Sequence, residues 1–429
     1  MDIIIIGFAL FSLFFGAGNL IFPPFLGKTY GSNWLIASLG FLTTGVGLAS
    51  VGVMAMSKKG GDVKEFTSVA GKKLGELVML LVILVIGPLG AIPRTGATSA
   101  EVVRASGINI PYILFILIFF GLTLLINLKN NKIVDIIGKY LTPALLLVLA
   151  IMIISGIANP IGEKIISNQR SGEVFSKSIT EGYNTMDALA ALVFSPIVIK
   201  ALMDKGYKDN LKKRTGQVVA IAASGLILVY VSLTYLGATA SFIYKDKFER
   251  VDLLINITHA ILGPVGKYVL SAIIVLACLT TAVGLTSSIG EIFVDIFKNK
   301  VSKKTMDIII VGVSVILSSV GVDDIVTFTF PVLNFAYPIF LIMIVYNLMD
   351  KKIHYKYRKL TFTIVSVIAI MQTIIEYVRI FDGNMAKSLE TIISWLPFYQ
   401  SGFPWLVPFL ICFAIGIILA NRKSRDKIV

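Results

Sequence analysis

The chain has 429 residues, of which 56% are hydrophobic and only 15% charged; its mean hydropathy is +0.86 and its formal net charge +14. Soluble globular chains carry about 25% charged residues, so the composition excludes an ordinary soluble enzyme and fits a polytopic membrane protein. Two cysteines and two histidines, the latter more than ninety residues apart, leave no basis for a disulfide framework or a histidine metal centre within the chain.

A bilayer core takes roughly 20 apolar residues per helical span. Twelve such stretches stand in the sequence, at 3–26, 34–56, 76–96, 111–128, 133–158, 178–202, 216–243, 265–296, 306–320, 325–349, 359–380 and 404–421. The expected fold is all-α and polytopic, with no segment long enough for a separate soluble domain. The opening "MDIIIIGFALFSLFF" lacks a basic n-region, so it reads as the start of span 1 and not as a cleavable signal. Cys278 and Cys412 fall inside spans and read as small buried apolar residues. His259 and His354 fall in connecting loops.

The loops after spans 2, 4, 6, 8 and 10 and the C-terminal tail hold most of the 39 Lys and Arg. Cytoplasmic loops are enriched in these residues, so both termini are expected in the cytoplasm. Basic runs such as "KNKVSKK" and "DKKIHYKYRK" then lie near anionic headgroups, and topology explains the net charge without nucleic acid.

Span 1 contains "FFGAGNLIFPPF", residues 14–25. Gly16 and Gly18 are poor helix formers, and Pro23 and Pro24 remove backbone donors. In lipid every backbone polar group needs a partner within the protein, so a break here implies a cavity or ligand; the bland alternative is a proline kink or glycine packing contact. A helix restarting at Gly16–Gly18 offers N–H groups and a partial positive charge to an anion such as a carboxylate. The carbonyls just before it, near Phe14 and Phe15, suit a cation.

Span 3 is followed by "GATSAE" at 96–101, a weak echo of "GLTSSIGE" at 284–291 in span 8. Span 6 opens with Glu181, Gly182, Asn184, Thr185 and Asp187 ahead of an apolar run. Intramembrane acids are costly and usually functional; the alternative is that Glu181 and Asp187 cap a helix at the surface. Spans 1 and 6 are each the first of five, and paired interrupted helices in corresponding positions point to an inverted-repeat transporter. Thr286 and Ser287 add hydroxyl oxygens of the kind hard cations prefer, although helix–helix or back-bonding roles are equally open to them.

The strings "FFGAGNLIFPP", "PRTGATSAEV", "GYNTMD", "ACLTTAVGLTSS" and "FPVLNFAYP" together resemble the branched-chain amino acid carrier family of bacterial leucine, isoleucine and valine symporters. The resemblance spans essentially the whole chain. It implies sodium- or proton-driven import through the bacterial plasma membrane and a five-plus-five inverted-repeat fold with two added helices: 1–158, 173–350 and 359–429 within one transporter domain, 1–429. It places the substrate's zwitterionic end among Gly16, Ala17, Gly18 and Asn19 in span 1 and Gly182, Tyr183, Asn184 and Thr185 in span 6, with the N–H groups of Ala17 and Gly18 on the carboxylate. It places sodium among the carbonyls of Ser12, Phe15 and Val283 and the hydroxyls of Thr286 and Ser287.

The arginine that the related sodium symporters carry in span 1 is missing, since Leu20, Ile21 and Phe22 follow Asn19. Arg94 is a candidate to replace its gating charge or a surface anchor. Should protons drive transport, Asp187 and Glu291 are the acids to examine. No cofactor beyond Na+ or H+ and no obligatory protein partner is implied. A carrier of another small neutral amino acid and a passive channel are the alternative readings; an intramembrane enzyme lacks its nucleophile or metal motif.

Overall fold

The computed structural model describes residues 2–129, 142–245, 248–349, 353 and 355–425. Every regular element among them is helical. Helices occupy all twelve apolar stretches, the fifth from residue 142 onward. Six helical runs are long and apolar enough to cross a membrane, and the pair Ser171–Tyr183 and Asp187–Asp204, bent by 44°, makes a seventh when taken together. Large apolar side chains such as Ile113, Leu117 and Leu125 point outward, as a lipid-facing surface requires. The chain is a multi-pass membrane protein.

Span 1 is two helices, α1 (Asp2–Phe14) and α2 (Ala17–Tyr30). The Gly16 amide leaves the α register and donates to the Phe14 carbonyl at 2.9 Å. Gly16 itself is extended, with φ −107° and ψ −168°. Pro23 and Pro24 lie inside α2 and add no second break. There α2 crosses α12 (Leu211–Ala240): a Cβ at Gly27 would fall on the Thr234 carbonyl, and one at Gly237 on the Pro24 carbonyl. Glycine on each side lets the two backbones touch, the usual device of membrane helix contacts.

Span 2 runs as α3 (Trp34–Leu42), a π-turn at Thr43–Leu48 and α4 (Ala49–Ser57). The amphipathic piece α5 (Val63–Thr67) follows. Span 3 departs from the sequence reading. It is α6 (Lys72–Ile86) and α7 (Ala91–Ala105), separated by the turn Gly87-Pro88-Leu89-Gly90. "GATSAE" is therefore inside a buried helix and not after one. Its small polar residues looked like an exit from the membrane, but Thr95 and Ser99 return their hydroxyls to the carbonyls of Ile92 and Thr95 at 2.6 and 2.7 Å.

Then follow α8 (Tyr112–Lys129), α9 (Thr142–Ala158), α10 (Ser171–Tyr183) and α11 (Asp187–Asp204). The long α13 (Arg250–Ile296) turns at Gly263, whose φ of +70° precedes Pro264. Its first arm corrects another expectation: His259 is on an exposed helical face and not in a loop. His354 lies outside the described residues. The chain ends with α14 (Lys303–Ser318), α15 (Val322–Leu348), α16 (Tyr355–Phe381), α17 (Gly383–Glu390) and α18 (Leu406–Arg425).

In the core, α1 and α2 lie along α12, while α10 lies on α3 and α11 on α4. Each broken span thus packs on the span that follows the other broken span. α7 runs along α13 beside them.

Candidate substrate site at the two helix breaks

At the first break, Ala17 and Gly18 open α2, where helix geometry leaves N–H groups without an intrahelical acceptor. Asn19 fixes the turn: its amide donates to the Gly16 carbonyl at 3.2 Å, and its side-chain oxygen accepts from the Gly16 amide at 3.3 Å. That leaves the Asn19 side-chain NH2 pointing to the second break.

There α10 ends at Tyr183 and α11 begins at Asp187, with Met186 in the left-handed region at φ 64°. The Thr185 hydroxyl donates to the Gly182 carbonyl at 2.9 Å and accepts from the Asp187 amide at 3.3 Å. Tyr183 turns away from the break and stacks on Tyr337 with ring centroids 3.9 Å apart. The Asn184 side chain reaches back to Glu181 at 3.3 Å.

The two breaks are joined by one buried network. Asn19 Nδ2 donates to Asp187 Oδ2 at 2.6 Å, the Tyr230 hydroxyl donates to the same oxygen at 3.2 Å, and Asn19 Nδ2 also contacts the Tyr230 oxygen. Asn19 and Asp187 are 1% and 3% exposed. Asp187 is an interior carboxylate, not a surface cap.

Arg94 is not a surface anchor either; it is 4% exposed. Nη1 donates to the Asn184 carbonyl and Nη2 to the Thr185 carbonyl at 3.4 Å. These carbonyls close the C-terminal, partially negative end of α10. The guanidinium lies over the Phe22 ring, 5.6 Å from its centroid. A Cβ at Gly18 would stand 2.9 Å from Nη2, so the glycine makes room for the arginine at the start of α2.

A cleft of about 30 Å³ lies between the breaks, lined among others by Gly16, Asn19, Arg94, Asp187, Thr281 and Leu285. Thr281 Oγ1 is 3.8 Å from where a Gly16 Cβ would stand. Its hydroxyl donates to the Ala277 carbonyl at 3.1 Å and keeps lone pairs to offer. The sequence reading did not single it out. Thr286 is five residues on, about 140° around the helix from it; its Oγ1 is buried without a hydrogen-bond partner among the described residues. Ser287 and Ser12 are half-buried, while Phe15 and Val283 are buried. Glu291 is exposed near the end of α13, apart from the Asn19–Asp187 network. Helical spacing from Leu285 back to Thr281 within "ACLTTAVGLTSS" was the available signal.

A further cluster covers α2. Arg250 pairs with Glu181 at 3.5 Å and with Asp323, linking α10, the first arm of α13 and α15. Its guanidinium lies 4.7 Å from the Phe25 ring centroid and 5.4 Å from that of Phe22. The sequence reading missed Arg250 because it treated the arm as a loop.

The family model described as branched-chain amino acid transport protein matches residues 1–423. The chain belongs to this family. Over 99% of its length it is 36% identical to the branched-chain amino acid permease BraB of Bacillus subtilis, covering 97% of that protein. It is 34% identical to the branched-chain amino acid transport system 2 carrier protein of Pseudomonas aeruginosa, with 99% and 98% covered. It is 32% identical to the permease BrnQ of Escherichia coli, with 99% and 97% covered. These names describe transport proteins, not enzymes. In fold it is similar to Mhp1, a nucleobase-cation-symport-1 family transporter solved closed around bromovinylhydantoin, at TM-score 0.63 and 13% identity, with 98% and 93% of the two chains covered. It is also similar to a Na+-coupled sialic acid symporter in its outward-open state, at TM-score 0.61 and 12% identity, with 98% and 90% covered. The fold of the family member described here is thus that of helical membrane transporters.

Proposed function

We propose that the chain is a secondary active symporter that imports leucine, isoleucine and valine across a bacterial plasma membrane by alternating access. Its relatives' names supply the substrate class. The observation that carries the mechanism is the Asn19–Asp187 hydrogen bond of 2.6 Å, because it puts the two helix breaks at one buried cleft. Non-helical backbone at membrane depth needs such a cavity or a ligand.

Twelve crossings with both termini cytoplasmic form the proposed topology, with repeats at 1–158 and 173–350 and two added helices at 359–429. The exchanged packing supports the inverted repeat: α1 and α2 meet α12, and α10 and α11 meet α3 and α4. The substrate carboxylate binds at the N–H groups of Ala17 and Gly18. Its ammonium faces the second break, where Thr185 alone of Gly182 to Thr185 lines the cleft, Tyr183 turning away and the Asn184 carbonyl accepting from Arg94. The coupling sodium lies by the carbonyls before the first break, with Thr281 as the hydroxyl beside Gly16. Thr286 and Ser287 are then secondary candidates.

A proton is the second reading for the driver, favoured by the buried carboxylate of Asp187 at the break. Labelled leucine uptake into proteoliposomes, with sodium and pH gradients imposed separately, tests both. Sodium-driven uptake is expected; uptake that follows only the pH gradient transfers the role to the proton, and uptake indifferent to both contradicts symport.

A further inference from the structure

We infer that Arg94 and Asp187 form a two-ended receptor for a zwitterion, with Arg94 meeting the carboxylate of a bound α-amino acid and Asp187 its α-ammonium. This deepens the transport reading above and rests on it.

Both side chains line the same cleft, and each is more than nine-tenths buried. Each is held by neutral groups: Asp187 by the Asn19 amide and the Tyr230 phenol, Arg94 by two backbone carbonyls. No salt bridge within 4.0 Å joins them to each other or to another charge among the described residues; their opposite charges act on each other only across the cleft. A buried charge without a counter-ion is costly. Arg94 Nε goes further, being buried with no hydrogen-bond partner among the described residues. A ligand with one negative and one positive group gives each of them a contacting ion partner at once.

At the carboxylate end the placement matches the charge of the backbone. Arg94 Nη2 stands beside Gly18 at the start of α2, where the helix dipole and open N–H groups also favour an anion. Asp187 stands across the cleft at the start of α11. The remaining walls are largely apolar, including Phe14, Phe194, Ile86 and Leu285, and suit a branched aliphatic side chain. A cleft of about 30 Å³ holds only about two water molecules. The breaks must part to admit leucine, and the ligand's two charges then bridge them. Specificity for amino acids over fatty acids and amines comes from this charge pair, while the apolar walls choose the side chain.

The test is competition against tritiated leucine binding by the purified full-length protein, with valine, 4-methylpentanoate, leucinamide and 3-methylbutylamine. Valine is expected within about tenfold of leucine, and each singly charged analogue about 100-fold weaker or more. In Asp187→Asn the disadvantage of 4-methylpentanoate relative to leucine should shrink by about tenfold, while that of leucinamide persists; Arg94→Gln should do the reverse. A merely structural role would weaken all ligands alike and keep the ratios, which overturns the inference. If the variants do not fold, the wild-type series decides: 4-methylpentanoate or leucinamide competing as well as valine overturns it. Wild-type protein that binds neither leucine nor valine contradicts the transport reading itself, whereas leucine binding without charge discrimination sinks this inference alone.

Discussion

Asn19 and Asp187 are 168 residues apart in sequence and 2.6 Å apart at their side chains. One belongs to the restart of α2 and the other to the start of α11, so a single hydrogen bond ties the two interrupted spans. Tyr230 completes the link from α12, the helix on which α1 and α2 pack.

Tyr230→Phe keeps the ring, its stack with Phe15 and its edge contact with Phe41, but removes one donor from Asp187. Loss of a hydrogen bond to a buried charge costs about 1.5–3 kcal/mol. The leucine dissociation constant should rise by about tenfold or more, measured by equilibrium binding. An unchanged value would show that the phenol does not support the carboxylate.

Gly18→Ala should be disproportionately harmful for so small a change. The added Cβ would stand 2.9 Å from Arg94 Nη2 and 3.0 Å from the Phe22 ring. Overpacking of this kind costs about 1–3 kcal/mol. Because the group displaced is the arginine, leucine uptake should fall by about tenfold or more while the melting temperature in detergent shifts by only a few degrees. Wild-type uptake in this variant would mean that Arg94 can leave without consequence.

For the proposed coupling cation, two threonines are ranked by their distance from the first break. Thr281→Ala removes the hydroxyl beside Gly16, whereas Thr286→Ala removes one on another face of α13. The sodium concentration for half-maximal leucine uptake should rise by about tenfold in the first variant and less in the second, the loss of one oxygen ligand being worth about a hydrogen bond to a charged group. A larger shift in Thr286→Ala would return the site to the residues that the sequence resemblance suggested.

Arg250→Gln should leave leucine affinity in place and slow transport. The guanidinium joins Glu181 to Asp323 over the Phe22 and Phe25 rings, at the edge of the site and not inside its cleft. The pairs bridge three helices without lining the cleft, so the effect belongs in the maximal rate and not in the leucine affinity. Equal losses in binding and rate would assign Arg250 to the substrate site.

Much of this was legible in the sequence because membrane helices announce themselves by length and hydropathy, and because Gly16-Ala17-Gly18 breaks a helix by its own chemistry. Asp187 was visible as an acid ahead of an apolar run. What the sequence concealed was direction. Arg94 sits in a polar string, "PRTGATSAE", that reads as an exit from the membrane, yet α7 is buried on nearly every side, with the Thr95 and Ser99 hydroxyls satisfied on its own backbone. Arg250 was hidden by Gly263 and Pro264, which look like loop residues but mark a turn between two helical arms. Thr281 and Thr286 are alike in composition; only the helical phase of α13 against the first break separates them.

On the proposed reading, the paired breaks perform gradient-driven uptake of branched-chain amino acids. Its most direct test is the steady-state accumulation of labelled leucine in proteoliposomes under an inward sodium gradient, followed by a sodium ionophore. Accumulation above the external concentration that the ionophore releases is the predicted result. Leucine that only equilibrates across the membrane, with or without the gradient, would contradict it.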